Sequence, residues 1–139
     1  MKKSFCYGFI VFRKKQDNNL EFLLIKSSNG HFDFPKGHKD VGDKSKLDTA
    51  KRETFEETNL SDLKIIDNFS VAIDYIIPKQ NVHKFVELFL AEYVSGEVIL
   101  SHEHTEFLWC DFESALKLFS YDNQKSYLIS AYNFLKFTS

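Results

Sequence analysis

Residues 37–60 read GHKDVGDKSKLDTAKRETFEETNL, and this stretch decides the reading of the chain. Glu53, Glu56 and Glu57 follow Arg52 at one, four and five positions. The pattern predicts a helix from Leu47 to about Asn59. Leu47, Ala50 and Thr54 share one side of it, and Arg52, Glu53, Glu56 and Glu57 share another. The glutamates fall within an arc of about 100°. Asn59 suits the left-handed position that ends a helix. Glutamate favours helices, so an acidic run is by itself a solvated face. The addition of Gly37 and Arg52 at fixed offsets points instead to a metal site. Three adjacent carboxylates repel one another, and a cation resolves that repulsion. Oxygen-only donors suit Mg²⁺, with Mn²⁺ as the alternative, and Mg²⁺ accepts a substrate phosphate as a further ligand. Such a site can activate water and neutralise a departing oxygen. Arg52 is expected to orient a glutamate through paired hydrogen bonds.

The flanks predict the scaffold. Residues 5–12 are apolar on both faces and read as a buried strand. A polar turn (residues 14–19) leads to a second strand at Leu20–Lys26. Pro35, Gly37 and Gly42 mark residues 31–42 as a loop. Strands are expected across Leu63–Ile77 and Lys84–Val94, joined by a turn at residues 78–81. Val98–Leu100 and Phe107–Asp111 are expected to bracket a loop at residues 101–106. Helical spacing returns from Glu113, and Tyr121 and the tail aromatics read as core. Strands, a helix, more strands and terminal helices predict an α/β fold, a sheet covered by helices.

At 139 residues the chain reads as one domain, residues 1–139. A hydrophobic content of 43% with 15 Phe residues excludes a disordered tail. The net charge of −2 leaves a polyanion to be held by a local basic cluster plus metal. No basic stripe points to extended nucleic acid. Cys6 and Cys110 lie in apolar runs without CxxC spacing, so reduced core thiols are expected, with no disulfide scaffold and no zinc. The N-terminal apolar run is too short to span a membrane. The protein is expected to be cytoplasmic, soluble and monomeric.

Lys36, directly before Gly37, can hold a phosphate as a point charge. His38 can donate to a phosphate. In the SHEH run, His102 and His104 share one face of extended chain and Glu103 points the other way. Glu103 is therefore read as a further metal ligand or base that reaches the acidic helix.

The segment resembles the Nudix box through Gly37, Asp43, Arg52, Glu53, Thr54, Glu56, Glu57 and Leu60. It departs from that box at three points. Asp43 replaces a glutamate, Asn59 replaces the helix-ending glycine, and the Gly37–Arg52 spacer is one residue longer. DNNLEFLLIKSSNGHFDFPKGH, FVELFLAEY and LSHEHTEFLW look like the asymmetrical diadenosine tetraphosphate hydrolases. The resemblance implies an α/β/α sandwich around a mixed sheet. It also implies cleavage of the dinucleotide to ATP and AMP by water with Mg²⁺. Glu53, Glu56 and Glu57 would be metal ligands, with the Gly37 carbonyl adding to the shell. Any of these glutamates, or Glu103, would be the general base. His31 and Phe32 take the places of a His-Trp pair. Phe32 reads equally as core or as a base platform. Tyr75 matches a base-stacking tyrosine, with packing as its alternative, and Lys84 matches a phosphate-reaching lysine. Two rival functions stand beside this one. The first keeps the chemistry but acts on RNA 5′ ends, a triphosphate or a diphosphoinositol phosphate. The second is a non-hydrolytic nucleotide sensor.

Overall fold

The structure, a computed structural model, describes residues 1–138. Strand β1 (Lys2–Lys14) lies at the centre of the sheet and is apolar on both faces. Beside it run β2 (Leu20–Ser27), β3 (Phe32–Asp33), β4 (Lys36–His38), β5 (Leu63–Ile77), β6 (Val82–Tyr93) and β7 (His104–Cys110). The path through the sheet is β3-β2-β1-β6-β5, with β4 on β1 and β7 on β2. Among the described residues β1 and β6 pair in parallel and the other pairs are antiparallel, so the sheet is mixed.

Helix α1 (Lys46–Thr58) packs on one face, where Ala50 and Leu60 join Tyr7, Phe9, Val11 and Leu23. Helices α2 (Phe112–Leu118) and α3 (Asp122–Thr138) cover the other, where Tyr127, Leu128 and Ala131 meet Cys6, Ile10, Phe22 and Val86. The α/β/α sandwich expected from the sequence is the observed architecture. Among the described residues, no helix is long and apolar enough to cross a membrane.

The sheet splits where the site forms. β1 pairs β2 only at Phe12–Lys14. Beyond that point the strands part, and each gains a short partner. β4 joins β1 at Cys6–Gly8, and β3 joins β2 at Ile25–Lys26. Residues 31–42, read from sequence as a loop, thus contain two strands. Pro and Gly mark the turns correctly, but pairs this short carry no periodicity to detect. Gly8 makes the crossing feasible, because a Cβ there would strike the Pro35 carbonyl and the Lys36 backbone.

Helix α1 is fixed at both ends. The Asp48 N–H donates to the Ser45 hydroxyl at 3.1 Å. Asn59 closes the helix at φ 68°, as its sequence position predicts. Val98–Leu100, expected to bracket the loop with Phe107–Asp111, has no partner in the sheet. Its Ile99 N–H donates instead to the Thr58 carbonyl at 3.0 Å, and the Ser101 N–H to Glu57 at 3.3 Å. The last carbonyls of α1 thereby acquire partners that the helix cannot supply. β7 starts at His104, three residues before the expected Phe107. Ser45→Ala should cost about 1 kcal/mol, the usual worth of an N-cap hydroxyl. Thermal melting should show a fall of about 3 °C.

Candidate active site

Arg52 is the hub of the acidic helix. Its Nε and Nη2 hold Asp43 in a two-pronged contact at 3.1 and 2.9 Å. Nη2 also donates to the His38 carbonyl at 2.8 Å. Nη1 donates to Glu53 at 2.7 Å and to Glu56 at 3.2 Å. One guanidinium therefore ties α1 to both ends of the preceding loop. Its hydrogen bonds hold the Asp43 carboxyl far below the usual range, and Asp43 in return holds Arg52 far above its own. Asp43 also accepts from the Thr49 hydroxyl and the Asp40 N–H, both at 2.8 Å. It is a loop anchor, which explains why aspartate serves where the box has glutamate.

Glu53 lies against Gly37, in the space a side chain on residue 37 would take. Glu57 accepts from the Lys36 N–H at 3.1 Å. Burial pushes the Glu57 carboxyl up to about 8, and burial raises Glu53 as well. Among the described residues, no three acidic, His or Cys side chains gather around one metal-sized centre. Arg52 holds Glu53 and Glu56, while Glu57 turns to the Lys36 amide. The donor set nevertheless fits a hard divalent cation. Its donors are all oxygen, Glu57 is desolvated with one neutral partner, and Glu56 is exposed and held only at 3.2 Å.

Strand β4 is a wall with two sides. The Lys36 amide serves Glu57, and its ammonium pairs with Asp33 at 2.7 Å on the other face. Burial opposes the Lys36 charge, but Asp33 outweighs it and the ammonium is held above the ordinary lysine range. Lys36 and Asp33 line a cavity of about 390 Å³ with Tyr75, Tyr121, Gln124 and Tyr127. A second hollow of about 600 Å³ lies at the starts of β1 and β6. Lys2, Lys3, Phe5, His38, Lys39 and Lys84 line it. Tyr75, which lines the first hollow, and Lys84, which lines the second, face each other in the β5–β6 register.

The structure brings Arg52, Glu53, Glu56, Glu57, Gly37, Lys36 and His38 together, with Tyr75 and Lys84 beyond β4. Phe32 is not an open platform. It is 7% exposed and packs in the main core, because β3 turns its side chain inward under Lys26. Tyr121, expected as core, is 54% exposed. It lies 5.2 Å from the His31 ring, whose Nδ1 meets the Ser120 hydroxyl at 2.9 Å. Its position just before α3 takes it off the buried stripe. Glu103 sits in the loop that Ser101 ties to α1, but its side chain is exposed and makes no ion pair among the described residues. Cys6 and Cys110 are buried free thiols. Sequence reasoning missed Asp33, Asn123, Gln124 and Tyr127 as cavity residues. The i,i+3 spacing of Asp33 and Lys36 was the one local signal available.

The NUDIX domain family model matches residues 5–132. A mouse protein named bis(5'-nucleosyl)-tetraphosphatase [asymmetrical] is 38% identical, with 92% of each chain covered. A Caenorhabditis elegans protein of the same name is 32% identical over 87% of this chain and 88% of its own. A crystal structure of a C. elegans Ap4A hydrolase binary complex superposes with a TM-score of 0.86 at 33% identity, covering 96% of this chain and 98% of that one.

Proposed function

This chain belongs to the NUDIX domain family, and from that premise we propose that it hydrolyses diadenosine tetraphosphate and related dinucleoside polyphosphates to ATP and AMP. The observation that carries the reading is the arrangement around β4. A carboxylate cluster lies on one side of a three-residue strand, and an aromatic-lined cavity with an ammonium lies on the other. The names of the similar proteins support the same substrate class.

Glu53, Glu56, Glu57 and the Gly37 carbonyl, with Glu103 from its loop, would hold Mg²⁺. When bound, that ion supplies charge neutralisation and polarisation at the phosphoryl oxygens. Arg52 keeps Glu53 and Glu56 aligned on α1. Water attacks one phosphorus, the P–O bond to the bridging oxygen breaks, and a carboxylate of the cluster takes the water's proton. Lys36 stabilises the charge that develops on the phosphates. Tyr75 and Tyr121 flank one base, with His31 beside Tyr121. Lys84 and His38 accompany the phosphates into the basic hollow, where Lys2, Lys3 and Lys39 offset the charge of the second half. The same basic hollow suits an RNA 5′ end, which makes that the second reading.

A substrate panel with Mg²⁺ tests the assignment. Diadenosine tetraphosphate, triphosphorylated RNA, ADP-ribose and the common triphosphates are incubated separately, and products are resolved by chromatography. The expected result is ATP plus AMP from the first, at the highest kcat/KM, with activity lost on chelation. Two molecules of ADP, a preference for RNA, or full activity in chelator would overturn it.

A further inference from the structure

One buried polar atom, on a residue that lines the cavity beside β4, is left without a partner among the described residues. Gln124 stands in the first turn of α3, is 7% exposed, and lines the cavity. Its Oε1 is buried and meets no hydrogen-bond donor among the described residues. Native interiors rarely leave a buried amide oxygen so; a ligand or an ordered water completes it. Lys36, which also lines the cavity, pairs with Asp33 at 2.7 Å and makes no hydrogen bond to this oxygen.

The surroundings say what kind of ligand would complete it. Tyr75 and Tyr121 supply flat apolar surface, which suits a planar heterocycle. A carboxamide on the wall of such a slot meets the heterocycle at its edge. A buried acceptor selects an edge that donates, and adenine donates only through its 6-amino group. The carboxamide nitrogen can then serve the adjacent ring nitrogen. This two-point match is the way glutamine and asparagine distinguish adenine in nucleic acids.

We propose that Gln124 is a specificity-determining residue that reads the adenine edge of the nucleotide seated in this cavity. The inference rests on the dinucleotide reading above and adds to it the base and the residue that chooses it. Stacking on the tyrosines tolerates any base; the Gln124 amide favours the 6-amino group.

The test removes each partner of the hydrogen bond in turn. Wild type and Gln124→Leu are assayed on diadenosine tetraphosphate and on the analogue in which purine, lacking the 6-amino group, replaces both adenines. For wild type, KM for the analogue should be about 10-fold higher, the usual worth of one net hydrogen bond. Gln124→Leu should raise KM for diadenosine tetraphosphate by at least 10-fold, hold kcat within about 2-fold, and raise KM for the analogue by several-fold less, since the analogue has only the ring-nitrogen bond left to lose. Gln124→Met, of similar length, carries the same expectation, and thermal melting checks that each variant folds. An equal rise on both substrates would mean that Gln124 acts through packing and would overturn the proposal, as would no rise on either. Wild type that cleaves neither substrate overturns the dinucleotide reading itself. Wild-type activity with an indifferent Gln124→Leu overturns the role of Gln124 alone.

Discussion

Glu57→Gln should lower kcat for nucleotide hydrolysis by about 10³-fold, within the range for loss of a group that moves a proton or holds charge in the transition state. The same variant should melt at or above the temperature of the native chain. Both expectations follow from one environment. Glutamine keeps the oxygen that accepts from the Lys36 N–H at 3.1 Å, so the α1–β4 contact survives. It also removes a carboxylate whose charge is penalised by burial, the cause that raises its pKa to about 8. Stability and activity should therefore move apart, which damage to the fold cannot imitate. Melting curves paired with single-turnover rates make the measurement. Unchanged hydrolysis would place the chemistry elsewhere than on α1.

Gly37→Ala should lower kcat by about 10²-fold, with a small change in melting temperature. A methyl group at residue 37 occupies the volume now held by the Glu53 carboxylate and its Cγ. The obstructed atoms belong to the free end of a flexible side chain, so the fold can give way cheaply. Glu53 cannot do so without leaving Arg52, its partner at 2.7 Å, or the face it shares with Glu57. Gly8→Ala is the contrasting case, because there the obstructed atoms are the backbone of residues 35 and 36. Its melting temperature should fall clearly, along with activity. Equal activity for Gly37→Ala and the native chain would separate Glu53 from the reaction.

The scaffold was readable where side chains repeat over many residues. The doubly apolar run of β1, the α1 stripe of Ala50 and Thr54, and the Asn59 stop all appear where their spacing predicts. Short or irregular pieces were not readable. β3 and β4 have two and three residues, too few for a period. Val98–Leu100 has strand composition, yet its Ile99 N–H is drawn to the open end of α1. The acidic helix was legible as a unit because one turn of helix gathers its residues. The cavity was not, because Asp33, Tyr75 and Gln124 come from three distant parts of the chain. The same reason left Phe32 open between core and platform and made Tyr121 read as core: an aromatic residue looks alike in sequence whether the sheet covers it or a helix start exposes it.

The parallel pairing of β1 with β6 also bears on how the molecule folds. Lys2 aligns with Val82, so the middle of the sheet joins residues 80 positions apart. Closing so long a loop costs chain entropy before any contact repays it, and topologies of this kind fold slowly. Helix α1 and strand β4 both lie within that loop. Ser45 and Asn59 can help α1 form early, but the Lys36–Glu57 contact needs β4 seated on β1. Newly made chains should thus acquire helix signal well before they acquire activity, and a stopped-flow comparison of circular dichroism with regain of hydrolysis would reveal the lag.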